Sequence, residues 1–453
     1  MIARVASSQI TKLQDCRFSV RPSLGLVVLI KCLLVPLLPG VAVQAGVEIH
    51  KIETPGETLT GQALSGDGLV VVGTQVGTPG QPFRWTVAGG YELLAAPTHA
   101  DHQGVRRVNT DGTAFVGGYG AGGTGYLWQQ SGGYTNILGA SGRIAASPHG
   151  ISGNGTIVVG DANTTGTGFY CFRWLGGSYT VFDVPEALTT YTAFFDVSAD
   201  GRYACANGQV PSSVGDRRIF RHDFNTGLRA VLGASNFRWT ASAMSADGNV
   251  ITGRTANNAV NPYRWNITTT GLTYLGSLDP GLPAIPNDLS GDGSVIVGRS
   301  LTATGDKAFV WDDTGGIRSL ETYIVEKGGD LSGWTFSEAK MISDDGDAIL
   351  ATGTSSNPLE FSNGPVLITG LNQPVLPTAE LAVSTNGLNY EISFETVDDQ
   401  EYWLQGSATP GAPSWSDETV PVAGTGALMT LTVPRANYPQ GSYFFRVATQ
   451  AAP

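Results

Sequence analysis

A tetrad, Ser-x-Asp-Gly or a near variant, recurs seven times along this chain and constrains its fold more than any other feature. The copies end at Gly68, Gly112, Gly155, Gly201, Gly248, Gly293 and Gly346, at spacings of 44, 43, 46, 47, 45 and 53 residues. Each is followed by a short β-rich run with a glycine, as in Val70-Val71-Val72-Gly73 and Val295-Ile296-Val297-Gly298. An aromatic segment comes next (Phe83-Arg84-Trp85, Tyr126-Leu127-Trp128, Phe172-Arg173-Trp174, Tyr263-Arg264-Trp265, Phe309-Val310-Trp311), then a turn and a last short strand such as Tyr91-Glu92-Leu93-Leu94. Four short strands in ~45 residues make one blade of a β-propeller. The Asp-Gly pair reads as a tight hairpin turn with both central residues at positive φ. No internal stretch keeps a helical period over helix length, so the apolar leader is the one sizeable helix candidate.

The two ends of the repeat region predict how the ring closes. Residues 47–68 align without gaps on residues 272–293, with Pro55-Gly56 on Pro280-Gly281. The region therefore begins with the outer strand of a blade. The seventh copy, Ile342 to Leu371, ends after its third strand, Val366 to Thr369, and residues 47–53 are expected to supply the fourth. The expectation is an all-β chain: a seven-bladed β-propeller over 46–372, closed by an N-terminal strand and leaving no open seam.

Residues 1–45 read as a signal peptide: a basic segment (Arg4, Lys12, Arg17, Arg21), an apolar run from Leu24 to Leu38, and small residues at Val43-Gln44-Ala45. Lys31 interrupts that run, and 15 residues are short for a membrane anchor of ~20. Loss of this segment removes five basic residues and one aspartate and takes the formal charge from −12 to −16. So acidic a surface argues against nucleic acid as a partner. The mature chain is expected to be secreted or on the cell surface, without a transmembrane segment, and monomeric. Cys171 and Cys205 remain, either as one disulfide or as two buried thiols.

The repeats resemble the HAF repeat of bacterial extracellular proteins, ISxDGxxVVGxS followed by AFxWTxxGG. Leu289-Ser290-Gly291-Asp292-Gly293-Ser294-Val295-Ile296-Val297-Gly298-Arg299-Ser300 with Ala308-Phe309-Val310-Trp311 carries the match, over roughly residues 47–371. The terminal unit, Gly329 to Ala339 leading to Ile342-Ser343-Asp344-Asp345-Gly346, is similar to the last repeat of such proteins. The resemblance implies an exported repeat protein and brings no catalytic residues. After a linker at 373–378, residues 379–453 alternate apolar and polar, which suggests a small antiparallel β-sandwich. With Trp403, Trp415 and Phe444-Phe445-Arg446-Val447, that tail looks like fibronectin-like tails of secreted bacterial proteins.

Chemistry is sparse. His99, Asp101 and His102 are the only close grouping of two histidines and a carboxylate, in a loop without fixed geometry, and read as solvated rather than as a metal site. Asp67, Asp111, Asp200, Asp247, Asp292 and Asp345 stand singly before glycine, which turn chemistry explains without calcium. His222 takes a place tryptophan holds elsewhere and reads as packing; His149 is read the same way. The aromatic segments are expected to pack blade on blade rather than stack on sugars. Arg84, Arg173, Arg221 and Arg264 are expected to meet a carboxylate or carbonyl of the adjoining blade. No catalytic, cofactor-binding or metal residue stands out, and no cofactor is expected. The reading is a non-enzymatic binding or scaffold protein for extracellular glycan or protein ligands. The alternative is a carbohydrate-active enzyme, a glycosidase or lyase, with carboxylates at the channel mouth.

Overall fold

The computed structural model describes residues 18–20, 28–33 and 47–451. It leaves out 78–79, 98–103, 119–124, 138–142, 165–168, 183–192, 210–216, 233–237, 258, 357–362, 373–377, 386–388, 397–399, 408–415, 426 and 435–442. Two compact units emerge: Val47–Gln373, and Met1–Gly46 with Pro374–Pro453. The first is a propeller of seven four-stranded antiparallel sheets, six of them running in chain order from the axis outward. Blades 1 to 6 begin at the inner strands Leu59–Leu64, Val105–Val108, Arg143–Ile151, Ala193–Val197, Trp239–Met244 and Ala284–Leu289. Blade 7 contains Trp334–Ile342, Ile349–Ser355 and Gly364–Thr369, and its fourth strand is Glu48–Lys51. The register runs from Glu48 opposite Thr369 to Lys51 opposite Val366, so the chain's early residues close the ring as the repeat alignment predicts.

The turn after each inner strand explains the tetrad. In blade 1 the Gly68 amide donates to Ser65 O at 2.9 Å, and Ser65 N donates to Val70 O at 2.9 Å. Ser65 Oγ donates to Asp67 Oδ1 at 2.5 Å and accepts from Val70 N at 2.9 Å, while Leu69 N donates to Asp67. Serine and aspartate thus consume the loop's own polar groups, which fixes both in the repeat. The expectation of two positive φ angles is corrected. Only the glycines are left-handed, at φ 69° to 74°, and no turn aspartate is. The loop is longer than a two-residue hairpin, so x and Asp form an ordinary turn and glycine alone reverses the twist. At Gly112 a Cβ would also lie 2.4 Å from Val70 Cγ2 of the preceding blade.

These turns join into a circle. The x residue of each tetrad, or its neighbour, donates its amide to the x residue of the next blade. The seven bonds pass through Thr110, Gly153, Ala199, Ala246, Gly291 and Asp344 back to Gly66, at 2.7 to 3.2 Å. Burial of the aromatic segment holds the blades face to face. Phe83, Phe172 and Phe309 are fully buried, and Trp85, Trp128, Trp174, Trp265 and Trp311 are 5–9% exposed. Those tryptophans are core, and no ring of them is open to sugar.

The arginines of the aromatic strands follow the expectation in part. Arg221 donates to Gly248 O and Asn249 Oδ1, and Arg264 to Gly293 O, all in the next blade. Arg173 lies over the Phe224 ring of the next blade, 4.8 Å from its centroid. Arg84 differs, facing Glu92 of its own blade at 4.0 Å.

Two helix expectations are corrected. The 53-residue interval holds a seven-residue helix, Leu320–Glu326, capped by Ser319, whose side chain accepts from Thr322 N. Leu320, Tyr323 and Ile324 bury one face of it, and about two turns of periodicity are too short to register in the sequence. The leader's described residues are extended rather than helical. Phe18–Val20 pairs with Tyr443–Ala451, and Val28–Leu33 pairs with Thr378–Thr385, placing Lys31 opposite Glu380. Val28 and Ile30, both β-branched, suit the extended backbone of that pairing. The tail is antiparallel sheet throughout its described strands. Trp415 and the grouping His99, Asp101 and His102 lie outside the described residues.

Candidate functional site

The axial channel is where the seven inner strands converge, and one irregularity shapes all of them. Every inner strand carries a register shift three residues before the Ser or Asn of its turn. The extra residues are Gln62, Arg106, His149, Phe195, Ser242, Asn287 and Lys340, and none is fully buried. A bulge re-aims side chains. Here it gives each blade two consecutive positions facing the axis, the bulge residue and the one after it.

That second position brings three charges together. Arg107 of blade 2 meets Asp288 of blade 6 at 3.1 Å and Asp196 of blade 4 at 3.8 Å. Arg107 also donates to Ser242 O and to Met341 Sδ, in blades 5 and 7. Asp196 Oδ2 accepts from Met244 N at 3.1 Å and Oδ1 from Val197 N at 2.9 Å; Asp288 Oδ2 accepts from Ile342 N at 3.1 Å. Five of seven blades are tied through one guanidinium. A cavity of ~90 Å3 remains between this triad and the ring of turns. Asp344 stands at its rim over Gly66, where a Cβ would meet its carboxylate.

Two carboxylates beside one arginine leave the buried triad a net negative charge. Burial, and then Asp196, push Asp288 up to about 6 against the pull of Arg107; burial also raises Asp196. A folded-state pKa above the unfolded value near 3.9 means the native state holds a proton that the unfolded chain gives up. This group therefore destabilises the fold as pH rises from about 4 through 6 and fully above that, by on the order of 3 kcal/mol. The turn carboxylates Asp111, Asp247 and Asp292 are lowered, with hydrogen bonding outweighing desolvation, and contribute stability that is lost below about pH 4. Thermal melting should accordingly peak near pH 5. Melts between pH 4 and 8 check this, and Asp288→Asn should flatten the limb above pH 5 and leave the acid limb in place.

The residues singled out in the sequence fall elsewhere. His222 is 4% exposed among Phe182, Phe194 and Phe224, and burial followed by Arg229 pulls it down to about 4. It is a packing residue, as expected. His149 is not. It is a bulge residue at the channel, with Nε2 2.5 Å from Asp161 Oδ1 and its ring 5.8 Å from that of Phe195. The bulge turns it away from the core, which the repeat pattern alone does not reveal. Cys171 and Cys205 are buried free thiols in different blades. The turn aspartates are engaged in their loops. Among the described residues no group of three or more His, Cys, Asp or Glu is arranged around a metal. The triad went unread, although its signal was present: a charge two residues before the turn Ser or Asn in copies 2, 4 and 6, inside otherwise apolar strands.

No protein-family model matches the chain, and no curated protein does. Solved structures share the fold at a distance. TolB from Acinetobacter baumannii is 16% identical, with 56% of this chain and 63% of that chain covered and a TM-score of 0.40. A prolyl endopeptidase is 11% identical, with coverage of 76% and 55% and a TM-score of 0.49. Oligogalacturonate lyase from Vibrio parahaemolyticus is 12% identical, with coverage of 76% and 98% and a TM-score of 0.49. At these identities the likeness concerns the arrangement of strands, and it carries no activity across to this chain.

Proposed function

We propose that the propeller is a non-enzymatic binding or scaffold module of an exported protein, presenting its ends to extracellular glycan or protein. The carrying observation is the axial ion cluster: Asp196 and Asp288 are both held by Arg107 and by backbone N–H groups. The cavity beside them, ~90 Å3, is far below the roughly 300–1,000 Å3 of a small-molecule site. A glycosidase needs its acid and its base or nucleophile on either side of a bound sugar, with water able to reach it. The resemblance to HAF repeats and the apolar leader support export. The test is a glycan and cell-wall array on the full chain, with hydrolysis and lyase assays on every hit. Binding without turnover is the expected result. Turnover lost in Asp196→Asn or Asp288→Asn, with folding intact, would transfer the case to the enzyme alternative.

A further inference from the structure

The copies of this repeat can be compared with one another, and the comparison separates two kinds of position. Where the fold dictates the residue, the copies agree: aliphatic just before the turn, then Ser or Asn, then Asp or Asn, then Gly. At the bulge the backbone irregularity recurs in all seven blades, yet no two blades carry the same residue. Packing that required a particular side chain there would have kept it, as it kept the serine. A constant backbone device displaying seven different side chains, each reached by solvent, is how a repeat scaffold builds an asymmetric recognition surface.

The charge at this mouth gives the ligand its sign. Lys340 Nζ reaches Gly61 O of blade 1 at 3.2 Å, and the adjacent Gln62 accepts from Val105 N, the residue before Arg106. Lys340, Gln62 and Arg106 therefore follow one another around the rim. Arg106 is exposed, and among the described residues neither it nor Lys340 has a carboxylate at ion-pair distance. The acids nearby are taken: Asp161 by His149, Glu338 by Arg299 and Asn287, and Asp306 by Arg299. At the opposite mouth stand Asp344 and the turn carboxylates. Among the described residues, cations without a carboxylate partner thus stand at one end of the channel only, which favours an anionic ligand there. The two blades that follow Arg106 around the rim bring the rings of His149 and Phe195 to 5.8 Å from one another, tilted by 32° and both partly exposed.

Resting on the binding reading above, we propose that the bulge-lined mouth binds a glycan chain bearing carboxylates, of the uronic-acid kind. Arg106 and Lys340 take the carboxylate, and Phe195 takes the sugar face. The test is calorimetric titration of the full chain with alginate and hyaluronan oligosaccharides, against neutral dextran and chitohexaose. Uronate chains should bind and weaken steeply with salt. Arg106→Gln with Lys340→Gln should weaken them at least tenfold, and Phe195→Ala several-fold. Arg106→Lys should keep most of the affinity, and Asp292→Asn at the other mouth should change nothing. Melting curves establish that each variant is folded. Equal binding of dextran, or uronate binding indifferent to the double variant, overturns this assignment while leaving the broader binding reading intact. No binding to any glycan or cell-wall preparation on the array overturns this assignment together with the glycan part of the binding reading.

Discussion

Replacing Arg107 by methionine should lower the stability of the propeller by about 3–5 kcal/mol at pH 8, the cost of leaving buried carboxylates without their counter-charge. Asp196 and Asp288 keep their backbone N–H donors in that variant but lose the guanidinium that pairs with both of them. Each then escapes the penalty by taking up a proton, so both pKa values rise further and the loss shrinks toward pH 5. The pH dependence distinguishes an electrostatic role from lost packing, because the missing contacts with Met341 and Ser242 are the same at every pH. A triple variant, Arg107→Met with Asp196→Asn and Asp288→Asn, should recover much of the loss, as each amide oxygen can keep one backbone bond without the buried charge. Denaturant titrations followed by tryptophan emission read this directly, since seven of the nine tryptophans lie in the propeller. An equal loss at pH 5 and pH 8 would show that the triad acts as filler rather than as an axial ion cluster.

The same triad marks how far the sequence could be read. The tetrad told blade number and spacing because its serine, aspartate and glycine each answer a local demand: a side-chain acceptor, a carboxylate over the next amides, a left-handed φ. Local demands recur with the repeat, and repetition makes them visible in one chain. Ring closure was legible for the same reason, residues 47–68 matching an outer strand and turn that belong elsewhere in the period. The axis obeys a different logic. Arg107, Asp196 and Asp288 lie 89 and 92 residues apart in the chain and meet only because blades 2, 4 and 6 face one another across the channel. Their common offset from the turn was in the sequence; the bulge that points that offset at the axis was not. His149 was misread for the same reason. The short helix after Ser319 escapes the sequence because about two turns, capped by one serine and buried through Leu320, Tyr323 and Ile324, are specified by the blade they lie on more than by their own period.

Deleting residues 47–53 should cost the propeller about 5 kcal/mol or more, a large share of the 5–15 kcal/mol that holds a domain together. The segment contributes four ladder pairs to blade 7, from Glu48 opposite Thr369 to Lys51 opposite Val366, and a further bond from Ile52 N to Pro365 O. Ile52 is 1% exposed in the core that joins blades 7, 1 and 2, and half-buried Ile49 packs on the core of blade 7. Losing one well-buried isoleucine costs about 2–5 kcal/mol by itself. The deletion also strips Gly364–Thr369 down to an unpaired edge, an apolar one, which invites pairing between molecules. A fall in melting temperature of at least ~10 °C, with concentration-dependent aggregation, is the expected result. Returning the same seven residues after Gln373 tests whether pairing or covalent order matters. Because Glu48 already stands opposite Thr369, a short hairpin can bring the transplanted strand back into register. The permuted chain should regain most of the lost melting temperature and stay monomeric at concentrations where the deletion aggregates. If the deletion instead melts within about 2 °C of the parent, the circle of backbone bonds from Gly66 to Asp344 and the axial ion triad suffice to hold the seven blades, and the early strand is dispensable.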